Sequence, residues 1–187
     1  MFERVETSVP GVVVIRPKVL TDARGFFVET YHEEKFAPLG ITDRFVQDNH
    51  SSSRRGTLRG LHYQLRRQQA NLCRVVRGEV LDVAVDIRRG SPTWAKWTSA
   101  VLSAENKRQL YIPKGFAHGF VVLSDEAEFL YKCSDFYDPS SERGIHWADP
   151  QLAIAWQVTE PALSDKDSRY PCLADVPPEF LPVYEAS

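Results

Sequence analysis

The 187-residue sequence lacks the features that define several common protein classes. Its three cysteines, Cys73, Cys133 and Cys172, are odd in number and widely spaced, which argues against a disulfide framework and a cysteine-rich zinc site. The net charge is −2 and no basic tract occurs, so nucleic acid is not an expected partner. The sequence also has no apolar run of membrane-spanning length and no apolar signal core near its N-terminus. We therefore expect a cytoplasmic protein with reduced, buried thiols.

The sequence is rich in short β-type runs. Hydrophobic residues make up 43% of the chain, which suits one domain, residues 1–187, with a sizeable core. Turn signals separate runs of Val, Ile, Phe, Tyr and Thr, which we interpret as strands at 11–17, 24–31, 45–51, 57–64, 72–88, 93–103, 108–113, 117–124 and 127–137. The stretch 32–38 has room for a turn or two of helix, and the chain beyond Asp149 is proline-rich and irregular. This spacing predicts an all-β sandwich or barrel.

Side-chain alternation assigns faces to two of these runs. In the run 72–88, an apolar, core-like face is formed by Leu81, Val83, Val85 and Ile87. The opposite face is formed by Asp82, Ala84 and Asp86. In the last run, a mostly apolar face is shared by Phe129, Tyr131, Cys133 and Asp135. We therefore expect Tyr131 to point into the barrel.

The segment LRGLHYQ, residues 58–64, carries a histidine in the middle of a predicted strand. Alternation places His62 on one face with Gly60 and Gln64, and Arg59 on the other. A glycine inside a strand often marks a bulge, and a bulge at Gly60 would turn Arg59 toward the same cavity as His62. From this pattern alone, His62 is a metal ligand, a proton-transfer base or an ordinary buried histidine.

Seven segments carry a resemblance to a known family: RGFFVETY, FVQDNHS, LRGLHYQ, RGEVLDVAVDIRRGSPTW, LSAENKRQLYIPKGFAHGF, EFLYKCSDFY and LSDKD. In this order and at nearly this spacing, from about residue 3 to about residue 170, they closely resemble dTDP-4-dehydrorhamnose 3,5-epimerase. The resemblance implies a cupin-type β-barrel (jelly roll) with a few short helical turns, usually a homodimer. The implied substrate is a dTDP-4-keto-6-deoxyhexose, inverted at C3 and C5 without a metal or organic cofactor to give dTDP-4-dehydro-L-rhamnose.

The resemblance also implies roles for individual residues. Both reacting carbons flank the C4 ketone, so inversion needs a base on one ring face, an acid on the other and stabilisation of the enolate oxygen. His62 matches the base, Asp167 the carboxylate that orients it, and Tyr131 the acid, while Tyr137 is the competing tyrosine, interpreted as a stacking or rim residue. Asp82, Asp86 and Asp165 are other carboxylates available to His62. The substrate-binding residues implied are Arg24, Glu29, Gln47, Asn49, Arg59, Asn71, His118, Glu142 and Lys166.

Asn71 stands where the family has a lysine that is thought to help hold the enolate charge. An asparagine amide can donate a hydrogen bond but carries no charge. Three outcomes are open: a nearby cation (Arg66, Arg67 or Arg74) substitutes, the enzyme is a slower 3,5-epimerase, or it inverts one centre of a related keto-sugar.

Three other function classes compete with the epimerase. A metal cupin would use His62, Gln64 and His118, but such sites usually have a second histidine where Gln64 stands, followed by a glutamate. A non-catalytic sugar-nucleotide binder would retain the cavity without proton exchange. A 3,4-keto-sugar isomerase usually carries two closely spaced histidines on the corresponding strand, and here His62 stands alone.

Overall fold

The computed structural model describes residues 2–185 and is built mainly from strands. The strands are β1 (Phe2–Glu6), β2 (Val13–Pro17), β3 (Val19–Asp22), β4 (Gly25–Val28), β5 (Gln47–Arg54), β6 (Leu58–Gln64), β7 (Asn71–Arg77), β8 (Glu79–Asp86), β9 (Trp97–Ser103), β10 (Gln109–Ile112), β11 (Phe116–Val122), β12 (Glu126–Cys133) and β13 (Glu142–Gly144). One short helix, α1 (Glu33–Phe36), is followed by 3₁₀ turns at Ala37–Leu39, Asp167–Arg169, Leu173–Asp175 and Pro178–Phe180. No helix among the described residues is long and apolar enough to cross a membrane.

Two antiparallel sheets face each other and form a cupin-like jelly roll, as the sequence predicts. The six-stranded sheet has the order β1-β2-β10-β7-β12-β5, and the five-stranded sheet has the order β13-β6-β11-β8-β9. Strands β3 and β4 form a separate two-stranded hairpin. Consecutive strands such as β7 and β8 lie in different sheets, so side chains distant in sequence meet between them.

Apolar clusters pack both between the sheets and on their outer faces. The interior cluster includes Cys73, Val80, Phe120 and Phe129. The outer face of the five-stranded sheet packs against the C-terminal segment, through residues such as Trp156. The outer face of the six-stranded sheet is covered by the segment around α1. The proline-rich tail is therefore a structural layer, and its position on β6 places its residues beside the cavity.

Strand β8 shows where alternation predicts only part of the structure. The apolar face of Leu81, Val83 and Val85 packs against the C-terminal segment on the outside of the barrel. The other face points between the sheets, and Asp82 on it is completely buried. The predicted core face is thus confirmed as buried, but the barrel interior lies on the opposite side of the strand, where the polar residues are.

One predicted strand is in fact two strands, and three strands were not predicted. The run 72–88 is two strands, because Gly78 adopts φ +71° and turns the chain from β7 to β8. A Cβ atom there would lie 2.0 Å from the Glu126 carbonyl oxygen, so glycine is required at this position. Strands β1, β3 and β13 were not predicted, since they are short and show no clear alternation. The helical stretch at 32–38 is confirmed as α1 and the following 3₁₀ turn.

The bulge predicted at Gly60 is confirmed. The register between β6 and β11 shifts between His118 and Phe120, opposite Gly60. Gly60 has φ +127°, and a Cβ atom there would lie 2.6 Å from Gly119 Cα and 2.8 Å from the His118 carbonyl oxygen. The bulge allows Arg59 to line the same cavity as His62.

Replacing Gly60 by alanine is expected to destabilise the protein strongly. The backbone of residue 60 has a φ angle that alanine rarely adopts, and the new methyl group would clash with backbone atoms of β11. We expect the free energy of unfolding to fall by about 2–4 kcal/mol. Gly90 is the matched control, since it has φ +83° with nothing within 4 Å of a built Cβ, and Gly90→Ala should cost only about 1 kcal/mol. Denaturant unfolding measures both, and equal losses would contradict the backbone clash.

Candidate active site

A cavity of about 420 Å³ opens between the two sheets. Strands of both sheets contribute to its lining, which includes Asn49, Arg59, His62, Gln64, Asn71, His118, Phe129, Tyr131, Tyr137 and Glu142. The lining combines imidazole, phenol, amide and guanidinium groups with buried aromatic rings. Such a concave site with a few convergent polar groups is typical of small-molecule binding.

His62 forms a hydrogen-bonded pair with Asp167. The imidazole Nε2 lies 2.5 Å from Asp167 Oδ1, although the two residues are 105 positions apart. Asp167 begins a 3₁₀ turn in the C-terminal segment, and its backbone N–H donates to Ser164 Oγ at 3.1 Å. When Asp167 is ionised, it accepts a hydrogen bond from the Nε2–H group, so Nδ1 keeps the lone pair that a base requires.

Asp167 is held in its ionised form by this pairing. Its side chain is only 4% exposed, and burial by itself would raise the pKa of the carboxyl group. The hydrogen bond with His62, its charge and the Ser164 contact together outweigh burial and lower the pKa of Asp167 below its ordinary value. The other carboxylates considered for this role lie elsewhere: Asp82 contacts His118, Asp86 contacts Arg88 and Asp165 lies near Arg169.

Tyr170 packs against His62 on the side of the C-terminal segment. Its ring is T-shaped to the imidazole, with centroids 5.7 Å apart. The ring occupies the space above Gly144 of β13, where a Cβ atom would lie 2.4–2.5 Å from three ring atoms. Sequence reasoning missed both residues, because Tyr170 lies in an irregular tail and a glycine gives no sign of what it accommodates.

Tyr131 lies across the cavity from His62. It belongs to β12 of the six-stranded sheet, whereas His62 belongs to β6 of the facing sheet. The predicted inward orientation is confirmed, since Tyr131 lines the cavity beside the buried Phe129. Burial, reinforced by the neighbouring Cys133 and Cys73, raises the pKa of Tyr131 to about 12. The phenol therefore remains protonated at neutral pH and is available as a proton donor.

Asn71 lies on the cavity wall near Tyr131, next to a buried thiol. Its Nδ2 donates to Cys133 Sγ at 3.4 Å, and Asn49 Nδ2 makes a second contact of 3.4 Å with the same sulfur. Burial raises the pKa of Cys133 to about 11, so the thiol is neutral. Two amides and a thiol thus form a polar, uncharged wall.

None of the three arginines considered as substitutes for the family lysine lines this cavity. Arg66 donates to Ser140, and Arg67 pairs with Asp135 at 2.9 Å. Arg74 points to the outer side of β7, where it lies near Thr30. A neighbouring arginine from this set therefore does not supply the missing charge.

His118 forms a second histidine–carboxylate pair. Its Nε2 lies 2.6 Å from Oδ1 of Asp82, which is fully buried on β8. His118 is paired with His62 in the register of β11 and β6, so both imidazoles approach one part of the cavity. From the sequence, Asp82 is only an alternative partner of His62, because its pairing with His118 depends on the alignment of β8 and β11.

Arg59 and Glu142 lie at other parts of the cavity wall. Arg59 Nε donates to Ser53 Oγ at 3.1 Å. Glu142 accepts hydrogen bonds from Lys166 Nζ at 2.8 Å and from the Tyr137 hydroxyl at 2.9 Å. Burial opposes ionisation of Glu142, but these two partners outweigh it and lower its pKa. Lys166 itself does not line the cavity and reaches it through Glu142.

Besides Lys166, three other predicted binding residues lie outside the cavity of this chain. Gln47 stands behind its wall, where it accepts the Tyr137 backbone N–H and donates to Asn49. Arg24 is in the β3–β4 hairpin, with a side chain that is 90% exposed. Glu29 follows the hairpin and pairs with Lys35 at 2.7 Å.

The barrel and its cavity define a cupin-type protein with polar groups converging from both sheets. The chain belongs to the family whose model is described as dTDP-4-dehydrorhamnose 3,5-epimerase and matches residues 6–175.

The relatives of the chain support this membership over its whole length. The dTDP-4-dehydrorhamnose 3,5-epimerase of Shigella flexneri is 57% identical over 165 residues, covering 87% of this chain and 91% of that protein. A crystal structure of dTDP-6-deoxy-D-glucose-3,5-epimerase from Legionella pneumophila, in complex with dTDP-4-keto-L-rhamnose, has a TM-score of 0.97 and 52% identity and covers 100% of both chains. A more distant relative, the dTDP-4-dehydrorhamnose 3-epimerase of Streptomyces niveus, is 41% identical over 95% of this chain and 87% of that protein.

Proposed function

We propose that the protein epimerises dTDP-4-dehydro-6-deoxy-D-glucose at C3 and C5 to give dTDP-4-dehydro-L-rhamnose. The observation that carries this proposal is the placement of the His62–Asp167 pair and Tyr131 on facing sheets of one cavity. A sugar ring between the sheets would present one face to an imidazole base and the other to a phenol. Inversion at a carbon beside a ketone needs this opposition.

The proposed reaction consists of two proton transfers at each inverted carbon. His62 takes the proton from the carbon, and the electron pair moves into the enolate at O4. Tyr131 gives a proton to the opposite face of the same carbon, and solvent exchange restores both groups. The developing negative charge on O4 needs a hydrogen-bond donor, and the Asn71 amide in the cavity lining suits this role.

Charged groups around the cavity suit the nucleotide part of the substrate. Arg59 offers a guanidinium fork of the kind that binds a diphosphate. The Glu142–Lys166 pair and the half-exposed Tyr137 ring form one rim of the cavity, where a sugar or a planar base would be held. Asn49 in the cavity lining offers an amide group for a pyrimidine edge or hydroxyls, and Gln47 positions it from behind the wall.

The homodimer and the cytoplasmic location expected from the family belong to this proposal. The β3–β4 hairpin exposes Phe26 and Phe27, which are 60% and 68% exposed. Exposed aromatic residues on a projecting hairpin suit contact with a second copy. Such a contact would also give Arg24 and Glu29, which lie outside their own cavity, access to the substrate of the partner.

The proposed function is tested by incubating the protein with dTDP-4-keto-6-deoxyglucose in D₂O and following the C3 and C5 protons by NMR. Loss of both signals with formation of the L-sugar is the expected result. If neither proton exchanges while the nucleotide sugar still binds, the protein is a non-catalytic binder and the proposed enzymatic function is wrong.

A single-centre epimerase is the second candidate, favoured by Asn71 and by the relationship to a 3-epimerase. In that case only one of the two proton signals would be lost in the same experiment. The neutral Asn71 wall offers weaker stabilisation of the enolate than a lysine would, and the slower exchange step would then fail first.

The role of Asn71 is tested by two substitutions in opposite directions. We expect Asn71→Leu to lower kcat by about 10²-fold, because it removes an enolate donor, and Asn71→Lys to raise kcat by adding a charge. Rates at C3 and C5 are followed separately by NMR. Unchanged rates in both variants would contradict a role for Asn71 at O4.

Replacing Asp167 by asparagine is expected to lower kcat by about 10²-fold, because the imidazole loses the anion that fixes its tautomer. The neighbouring Asp165 is the matched control, since its side chain is 97% exposed, and Asp165→Asn should leave kcat unchanged. Equal effects of the two substitutions on steady-state kinetics would contradict the orienting role.

The Asp167→Asn variant is also expected to change how the free energy of unfolding depends on pH in the acidic range. The pKa of Asp167 is lowered by folding, so its pairing contributes stability above the ordinary carboxyl pKa. That contribution is lost as the pH falls through the lowered pKa of the folded protein. The difference in unfolding free energy between wild type and Asp167→Asn should therefore shrink toward low pH, and a constant difference in denaturant titrations would contradict the linkage.

A further inference from the structure

Tyr170 contacts the proposed base, His62, from outside the cavity. Its ring is T-shaped to the imidazole, with centroids 5.7 Å apart and an interplanar angle of 70°. His62 belongs to the cavity lining, whereas Tyr170 lies outside it. A sugar bound between the sheets would therefore meet the imidazole and not the phenol, so Tyr170 can affect the reaction only through His62.

The backbone around Tyr170 is fixed at two points. Tyr170 directly follows the 3₁₀ turn Asp167–Arg169, and its φ of −63° and ψ of 145° are the extended values that a residue before proline prefers. The carbonyl oxygen of the next residue, Pro171, accepts a hydrogen bond from the His146 backbone N–H at 2.8 Å. One short segment thus carries both the carboxylate that binds Nε2 of His62 and the ring that packs against its imidazole.

Gly144 of β13 leaves the space that this ring fills. A Cβ atom on Gly144 would lie 2.4–2.5 Å from three atoms of the Tyr170 ring. The backbone of Gly144 does not have a left-handed φ, so the conformation of the strand does not require glycine here. Gly144 pairs with His62 in the register of β13 and β6, which places the ring directly beside the imidazole. The missing side chain therefore serves the contact between the two rings.

We propose that Tyr170 is a positioning residue that holds the His62 imidazole in the orientation needed for proton abstraction. His62 is the base only in the proposed epimerase function, on which this inference rests. The hydrogen bond to Asp167 fixes the direction of Nε2, but the imidazole ring can still turn about that bond. An edge-to-face contact with a second ring removes this freedom and so fixes the direction of the Nδ1 lone pair.

The Tyr170 ring adds no charge beside the base. Burial raises the pKa of Tyr170 above its ordinary value, and the nearby Glu142 and Asp167 charges reinforce this shift. The phenol is therefore neutral at neutral pH. Its contribution to the site is the shape of the ring, and we expect phenylalanine to replace it.

Tyr170→Ala is expected to lower kcat by about 10–100-fold, because a base displaced from its productive geometry loses about this much rate. KM should change by less than about twofold, since Tyr170 does not line the cavity. Tyr170→Phe keeps the ring and should retain most of the wild-type kcat. Arg169→Ala is the matched control, since its side chain lies in the same turn and is 77% exposed, and it should behave as wild type. A rise in KM with unchanged kcat in Tyr170→Ala would overturn the proposal.

Gly144→Ala tests the same contact from the other side, because its methyl group displaces the Tyr170 ring without removing it. We expect kcat to fall by about 10-fold or more in this variant. In the double variant with Tyr170→Ala the methyl group meets no ring, so kcat should equal that of Tyr170→Ala alone. Losses that multiply in the double variant would show that the two positions act independently, and would overturn the proposal. Circular dichroism checks that every variant is folded.

A measurement without substrate separates the role of Tyr170 from the proposed function. In protein with isotopically labelled histidine, the Nε2–H proton of His62 is identified by its absence from His62→Ala, and its exchange with water is followed by NMR. The wild type should give a protected signal, because the imidazole is held by both Asp167 and Tyr170. Tyr170→Ala should accelerate the exchange by about 10-fold or more, whereas Tyr170→Phe and Arg169→Ala should leave it unchanged.

The two kinds of failure are distinguishable in these experiments. Equal exchange of the Nε2–H proton in wild type and Tyr170→Ala, or an unprotected signal in the wild type, would overturn the proposal whatever the kinetics show. A difference in exchange without any epimerisation of the keto-sugar would contradict the proposed function and leave Tyr170 as the residue that orients His62.

Discussion

His62→Ala is expected to lower kcat of the epimerase by about 10²–10⁴-fold, the usual contribution of a positioned base. The imidazole is bound to a buried carboxylate and packed against Tyr170, so its lone pair is held in place at the cavity. Truncation leaves the base position empty, because Asp167 stays in the turn behind it through its backbone N–H and His118 stays bound to Asp82. Proton exchange at C3 and C5, followed by NMR in D₂O, measures the effect.

The control for this substitution is His146→Ala. His146 lies outside the cavity lining, where its Nδ1 accepts the Ala148 backbone N–H. We expect this variant to exchange protons at the wild-type rate. If exchange at both carbons survives in His62→Ala, then His62 is a binding residue and the base must be sought among the other cavity groups.

The architecture was predictable because the strands are marked by local patterns. Alternation on β12 correctly predicts that Tyr131 faces inward, and the glycine in β6 predicts the bulge that turns Arg59. Alternation does not reveal which buried face meets the other sheet. Strand β8 is an example: it is buried on both sides, with Asp82 in the barrel interior and its apolar face packed on the outside, and alternation does not tell these two faces apart.

The long-range partners in the cavity were predictable only through the family resemblance. Asp167 is 105 residues from His62, and no local pattern in the irregular C-terminal segment links the two. The pairing of Asp82 with His118 depends on the register of two strands and went unpredicted. The placement of Arg24 outside its own cavity also lies beyond sequence reasoning, because it depends on where a hairpin projects.

Tyr131→Phe is expected to separate proton removal from inversion. Burial raises the pKa of Tyr131 to about 12, so the wild-type phenol is a proton donor at neutral pH. Without the hydroxyl, the enolate formed by His62 can regain a proton only from the face on which it was lost. We therefore expect product formation to fall by about 10²–10⁴-fold, while exchange of deuterium into recovered substrate continues. NMR in D₂O with separate quantification of substrate and product measures both quantities.

Two other tyrosines make this prediction discriminating. Tyr137 lines the same cavity but is half exposed and donates to Glu142, so Tyr137→Phe should weaken substrate binding and raise KM, with exchange and inversion still coupled. Tyr184 lies outside the cavity with its ring beside Arg88, and Tyr184→Phe should behave as wild type. If exchange without inversion appears in Tyr137→Phe and not in Tyr131→Phe, then the acid is Tyr137. The donor would then lie at the rim of the cavity, and the six-stranded sheet would supply no proton to the sugar.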